Sequence, residues 1–162
     1  MHRICLQDLG PIQQCDMTLN DFIVLTGPQA NGKSTVAKAV FFFRTIKDDI
    51  VEMMLRGTVG EKPGNWKVRL SKRLKDKFMQ LFGSSYGMSN SMKATYYYDS
   101  TTYIHVYLKE NHSGEGGPNY VAIEFSPNIA DYLSGLDDQI FADMGHNQRI
   151  REESRLSELF QD

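Results

Sequence analysis

Residues 22–35 of this chain read FIVLTGPQANGKST, a short apolar run followed by a glycine-bounded turn. The run at 22–26 has the length and composition of a buried strand. From Gly27 to Ser34 the sequence fits the pattern G-x-x-x-x-G-K-[ST]. The residues that follow lack glycine and proline and carry apolar side chains at helical spacing. The order strand, glycine-bounded loop and helix is typical of a loop that binds phosphate.

This pattern predicts a site for a nucleoside triphosphate. Glycine at both ends of the loop permits backbone turns that aim successive N–H groups inward, and the following helix adds N–H donors and the positive end of its dipole. Lys33 is expected to reach the β- and γ-phosphates, and the Ser34 hydroxyl to bind Mg²⁺. The predicted site for ATP and Mg²⁺ consists of Gly27, Ala30, Asn31, Gly32, Lys33, Ser34 and Thr35.

The composition predicts a single globular domain that can bury a core. The chain has 162 residues, of which 41% are hydrophobic and 23% charged. Its net charge of -2 does not indicate a nucleic-acid partner. No apolar run approaches the roughly 20 residues of a membrane span, and the first residues do not resemble a signal peptide, so we expect no membrane partner.

Cys5 and Cys15 lack the spacing of metal ligands, and the four histidines are scattered along the chain. We therefore expect no metal cage built from these side chains. Together with a phosphate-binding loop, the two cysteines are interpreted as buried thiols in a reducing, cytoplasmic compartment.

Periodicity and turn residues predict the other elements. Two or three strands are expected within 2–26, around the turn at Gly10 and Pro11. A single long helix is expected from Lys33 to about Leu55, ended by Gly57. A second, basic helix is expected from about Asn65 to Phe82, stopped by Gly83. Antiparallel strands are predicted at 94–98, 101–109 and 120–125, with a glycine-rich loop at 111–119 and a helical remainder at 129–162.

The second predicted helix carries a concentration of positive charge. Its cations are opposed within the helix only by Asp76, and they are Lys67, Arg69, Lys72, Arg73, Lys75 and Lys77. Such a helix could follow a nucleic-acid backbone, or it could present a solvated face. The residues alone leave both interpretations open.

The order of elements differs from that of small-molecule kinases, which continue after the loop as alternating strands and helices of a parallel sheet. It resembles the N-terminal half of ABC-type ATPase heads in the structural-maintenance-of-chromosomes, RecF-like and overcoming-lysogenization-defect (OLD) families. The stretches 9–12, 22–28 and 31–35 carry the resemblance, which covers residues 1–50 well and 90–126 loosely. Within that group the chain looks most like bacterial AAA-domain, ATP-binding proteins.

The resemblance implies an α/β fold. Its expected form is a P-loop NTPase lobe with an N-terminal β-hairpin, a long P-loop helix, an antiparallel β lobe and a C-terminal helical segment. It divides the chain into an ATP-binding lobe at 1–126 and a helical extension at 127–162. It also implies an ATPase whose missing C-terminal half would follow the extension, and a head-to-head dimer partner.

The chain departs from this family in its catalytic motifs. Walker B requires four apolar residues followed by Asp-Glu, and the sequence contains no such run. The nearest stretch, 121–124, ends in the single carboxylate of Glu124 and is better explained as an antiparallel strand. Residues 133–137 resemble the signature loop but lack its second glycine, so we interpret them as helix. Gln139 is a weak candidate for the Q-loop glutamine. The catalytic residues are therefore unknown, and this chain alone is expected to be deficient in hydrolysis.

Two other functions remain open at this stage. A compact P-loop kinase for a small metabolite suits the length, but neither a basic lid nor a carboxylate base is identifiable by spacing. A non-catalytic, nucleotide-gated interaction module would explain the absent Walker B motif. The intact pair Lys33 and Ser34 argues against wholesale decay of the site.

Overall fold

The structure is a computed structural model that describes residues 1–55, 65–110, 119–137 and 146–161. Its strands are β1 (His2–Leu9), β2 (Ile12–Leu19), β3 (Lys93–Tyr97), β4 (Tyr103–Lys109) and β5 (Tyr120–Phe125). Its helices are α1 (Lys33–Arg44), α2 (Ile46–Leu55), α3 (Trp66–Phe82), α4 (Pro127–Asp137) and α5 (His146–Phe160). A 3-10 turn at Ser85–Gly87 precedes β3.

The five strands form one antiparallel sheet in the order β2-β1-β3-β4-β5. Buried side chains alternate with more exposed ones along β3 and β4, so one face of the sheet is buried and the other is open. The inward side chains of β3 and β4 include Tyr96, Ile104 and Val106, all fully buried. The predicted hairpin and the predicted antiparallel strands are confirmed. They form a continuous sheet because β1 pairs with β3, with Cys5 opposite Thr95.

The helices cover the inward face and complete a single hydrophobic core. Phe42 and Phe43 of α1 and Phe78 of α3 are fully buried, and α3 packs against β5 and α4. The ring of Phe160, at the end of α5, lies 4.6 Å from the ring of Tyr98. Side chains from 127–161 thus share one core with those from 1–126. The described strands are all antiparallel, so the parallel sheet of typical P-loop proteins is not found in the described ranges.

The predicted single helix from Lys33 to Leu55 is wrong, because the structure has two helices that meet at Thr45. The Thr45 hydroxyl donates to the carbonyl oxygen of Phe41 at 2.8 Å and to that of Phe42 at 3.2 Å. Such side-chain bonding to the preceding turn competes with the regular ladder and bends helices. Gly57, which was expected to end the helix, lies outside the described residues.

The basic helix α3 is confirmed at both ends. The Asn65 side chain accepts a hydrogen bond from the backbone N–H of Val68 at 3.2 Å, which caps the first turn. Gly83 follows the last turn with φ of 91°, a conformation that favours glycine. Leu70 and Leu74 of the predicted apolar stripe are fully buried.

The predicted strand at 22–26 is not formed. The segment is irregular, and no described strand pairs with it. Phe22 is 82% exposed and Val24 64% exposed, whereas Ile23 and Leu25 are half-buried. An apolar run becomes a strand only when a neighbour supplies the hydrogen-bonding edge, and none of the described strands pairs with this run.

The remaining sequence predictions have mixed outcomes. Residues 121–124 lie in the antiparallel strand β5, and 133–137 lie in α4, so both structural interpretations are confirmed. Cys5 and Cys15 are free thiols but half-buried rather than buried. They lie on opposite faces, since Cys5 is opposite Asp16 and Cys15 is opposite the buried Leu6. Most of the loop at 111–119 and Gln139 lie outside the described residues.

The turn between β3 and β4 is organised by one carboxylate. Asp99 accepts hydrogen bonds from the backbone N–H groups of Thr101 at 2.6 Å and Thr102 at 2.7 Å, and from both threonine hydroxyls. Burial alone would raise the pKa of Asp99, but these donors lower it from 3.8 to about 2. The ionised form is therefore bound more favourably in the folded chain than in the unfolded chain.

We expect Asp99→Ala to lower the free energy of unfolding by about 1–2 kcal/mol at pH 7, allowing for solvent screening. Because the folded pKa is depressed, this stabilisation is present above about pH 4 and is lost as the pH falls through about 2. Urea unfolding of both forms across that range measures the effect. The control is Asp131→Ala, which removes an exposed carboxylate from α4. A constant difference between Asp99→Ala and the unmodified chain from pH 7 to pH 2 would contradict the linkage.

Candidate nucleotide site

The predicted loop alternates in backbone conformation just before helix α1. Gly27 has φ of 138°, Ala30 of 65° and Gly32 of 81°, whereas Asn31 has a negative φ. Residues 30–33 therefore alternate in the sign of φ up to the first residue of the helix. Alternation of this kind is a feature of nests, in which successive N–H groups point toward a common anion. A positive φ at Ala30 is uncommon for a residue with a Cβ and indicates a locally constrained turn.

Helix α1 begins directly after the loop, with Gly32 as its N-terminal flanking residue. The backbone N–H of Val36 donates to the Gly32 carbonyl oxygen at 2.9 Å, which is the first bond of the helix. The N–H groups of Lys33, Ser34 and Thr35 come before it, and no side chain caps this end. Free N–H donors and the positive end of the helix dipole both favour an anion here.

The Lys33 side chain lies over the loop. Its ammonium donates to the carbonyl oxygen of Gly27 at 2.7 Å and to that of Pro28. It thus links the end of the loop to its beginning, and it would have to turn toward a bound phosphate. Ser34 is exposed and Thr35 is half-buried. All seven predicted residues belong to one short segment, 27–35.

A magnesium ion would depend mainly on the nucleotide. Among the described residues there is no group of three or more His, Cys, Asp and Glu side chains that could hold a metal ion. The Ser34 hydroxyl is a suitable oxygen ligand, and Mg²⁺ commonly completes its shell with phosphate oxygens and water. The residues present therefore fit Mg²⁺ only as part of Mg-ATP.

The structure makes Glu124 a poor candidate for a catalytic carboxylate. Glu124 is exposed and lies opposite His105 on the open face of the sheet. Helix α1 contributes Phe42 and Phe43 to the core on the other face. Strand β5 is also three strand spacings from β1, about 14 Å at the usual separation.

The basic helix uses part of its charge inside the protein. The Arg73 guanidinium donates to the buried carboxylate of Asp49 at 2.9 Å and also pairs with Glu52. The Lys77 ammonium pairs with Asp49 and donates to the Thr45 hydroxyl at 2.7 Å. These ion pairs join α3 to α2 and neutralise two of the six cations.

Two further cations of α3 lie over aromatic rings. The Arg69 guanidinium is 5.3 Å from the centre of the Trp66 ring, and the Lys75 ammonium is 5.6 Å from that of Tyr120. Lys67 and Lys72 are exposed. Of the six cations of α3, Lys67 and Lys72 are thus the most accessible to a nucleic-acid backbone.

The β1–β2 turn lies against the loop at 27–34, a contact that was not predicted from the sequence. A Cβ built on Gly32 would lie 2.9 Å from Ile12 Cγ1 and 3.4 Å from Pro11 Cγ, so the turn lies directly against the loop. The Gly10-Pro11 pair predicts a turn, but no pattern in the sequence indicates what the turn packs against.

Comparison with family models, with curated proteins and with solved structures finds no match. None of the helices in the described ranges combines the length and apolar character needed to cross a bilayer. The interpretation of the site therefore depends on its residues and geometry.

Proposed function

We propose that this chain is the ATP-binding lobe of an ABC/AAA-type ATPase and binds Mg-ATP through residues 27–35. The observation that carries the proposal is the alternation of φ at 30–33, leading into an uncapped helix N-terminus. Lys33 lies at the same point and supplies the positive charge that the β- and γ-phosphates require. The sequence resemblance over residues 1–50 favours the ABC type. The described strands are antiparallel, so the parallel core sheet of a P-loop protein, whether ATPase or kinase, would have to form with a further segment.

Hydrolysis is proposed to require a second segment, from the same or another polypeptide. The run 22–26 supports this, because it exposes Phe22 and Val24 and has no described strand beside it. Continuous apolar runs of this kind are typical of strands buried on both faces of a sheet. The second segment would supply the Walker B carboxylates, and the resemblance implies a head-to-head dimer. In that enzyme, Mg²⁺ would neutralise the charge of the γ-phosphate during attack by water. Two free thiols fit a cytoplasmic location.

A calorimetric titration tests the binding proposal. The unmodified chain is expected to bind Mg-ATP, and adenosine is expected to bind at least about tenfold more weakly because it lacks the phosphates that the loop would hold. Equal affinity for ATP and adenosine would contradict phosphate recognition by this loop. No heat and no competition with a fluorescent ATP analogue at millimolar concentration would contradict the proposal as a whole.

We expect the chain alone to release phosphate from saturating Mg-ATP barely above background. In the part of the chain that the structure describes, no group of three or more His, Cys, Asp and Glu could hold a metal ion, and Glu124 lies on the open face of the sheet opposite His105. Steady-state phosphate release measures this, with Lys33→Ala as the background control. A Lys33-dependent rate on the order of 1 s⁻¹, typical of working enzymes, would show that the site is catalytically complete.

A further inference from the structure

The turn between β1 and β2 lies against the end of the phosphate loop. Gly32 is buried, and a Cβ placed on it would overlap the side chain of Ile12, with Cγ1 2.9 Å away. A Cβ on Gly10, in the same turn, would lie 3.7 Å from the Thr35 hydroxyl oxygen. Residues 10–12 thus contact both the last glycine of the loop and the first turn of α1.

The loop has few other described restraints. Residues 27–31 are all exposed. The described hydrogen bonds at its ends are that of Val36 to the Gly32 carbonyl and those of Lys33 to Gly27 and Pro28. The ammonium bonds would be exchanged for phosphate when ATP binds. Two apolar side chains of the turn lie against Gly32, that of Pro11 and, closer to the glycine, that of the half-buried Ile12.

We propose that Ile12 is a positioning residue for nucleotide binding, an inference that rests on the proposed function. Gly32 has φ of 81°, and this conformation sets the direction of the N–H groups on either side of it. By filling the space beside Gly32, the Ile12 side chain restricts the loop to that conformation. Without it the loop samples more conformations, and binding Mg-ATP must then restrict them at a cost in entropy.

The test is the dissociation constant for Mg-ATP, measured by calorimetry well below the melting temperature of each variant. Ile12→Ala is expected to weaken binding about tenfold, which corresponds to about 1.4 kcal/mol. Ile12→Val removes Cδ1, the side-chain atom nearest to Gly32, but retains Cγ1, and is expected to weaken binding by an intermediate factor of about threefold. Ile123→Ala is the matched control, because it truncates a half-buried isoleucine of β5 at the other end of the sheet. It should lower the melting temperature without changing the dissociation constant.

The outcomes separate the inference from the function on which it depends. If the unmodified chain binds Mg-ATP and Lys33→Ala weakens binding, but Ile12→Ala binds normally, the role of Ile12 is overturned and the proposed function stands. Equal loss of affinity in Ile123→Ala would also overturn it, since the effect would then follow general stability. Absence of binding by the unmodified chain overturns the proposed function and with it the role assigned to Ile12.

A second measurement tests the contact without nucleotide. Gly32→Ala introduces the methyl group that would overlap Ile12. Gly32→Ala should therefore lower the melting temperature less in the Ile12→Ala variant than in the unmodified chain. The strain of placing alanine at the positive φ of position 32 is present with Ile12 and in the Ile12→Ala variant alike, so it cancels in the comparison. If the two substitutions lower the melting temperature additively, the methyl group introduced at position 32 does not contact Ile12 in solution, and the inference is overturned.

Discussion

Replacing Arg73 and Lys77 together by glutamate is expected to destabilise the folded chain by at least 3–5 kcal/mol. Both cations contact Asp49, which is buried, and Arg73 also contacts Glu52. The double replacement would bring four carboxylates together between α2 and α3 and remove both cations that contact Asp49. Urea unfolding followed by circular dichroism measures the loss, which for a domain of this size approaches the whole of its stability.

The matched control reverses two charges of α3 that are exposed. Lys67→Glu with Lys72→Glu makes the same change in net charge and is expected to alter the free energy of unfolding by less than about 1 kcal/mol. This pair also tests the nucleic-acid interpretation, because its two lysines remain at the surface. If duplex DNA binds at about 50 mM salt, the control should weaken binding and reduce the salt dependence. Comparable unfolding of the two double variants would contradict the assigned ion pairs.

Lys33→Ala is expected to weaken Mg-ATP binding roughly 10- to 150-fold, corresponding to about 1.5–3 kcal/mol for a charge-assisted contact. The ammonium lies over the loop and bonds to Gly27 and Pro28, from which it can turn to a phosphate oxygen. Its stabilising bonds in the free protein are exposed, so the melting temperature should change little. Calorimetric titration of both forms measures the difference.

Lys38→Ala provides the comparison for this substitution. Lys38 lies on the same helix and its ammonium donates to the Leu81 carbonyl at 3.0 Å, away from the phosphate loop. The Lys38→Ala variant should therefore bind Mg-ATP with unchanged affinity. Equal affinities of the unmodified chain and Lys33→Ala would reject the assignment of the loop. Equal losses in the two lysine variants would mean that the effect is one of net charge.

Local sequence predicted the elements whose signals are local. The strand β4, the start of α3 near Asn65 and its stop at Gly83 depend on neighbouring residues, and the structure agrees with each. The helix break at Thr45 was missed because threonine within a helical pattern is common, and bonding of its hydroxyl to the preceding turn depends on side-chain conformation. The run 22–26 was wrongly predicted as a strand because pairing depends on a partner that the run itself does not contain.

The sequence by itself determined the candidate nucleotide site, since the glycines, Lys33 and Ser34 lie within one continuous segment. Only the tertiary structure decided how that segment is supported and which charges remain available. The pairing of β1 with β3, the contact of Ile12 with Gly32, and the ion pairs of Asp49 with α3 join residues more than 19 positions apart. Such contacts form because distant apolar and charged groups gain more from burial and pairing together than they lose in chain entropy, and no local spacing encodes them.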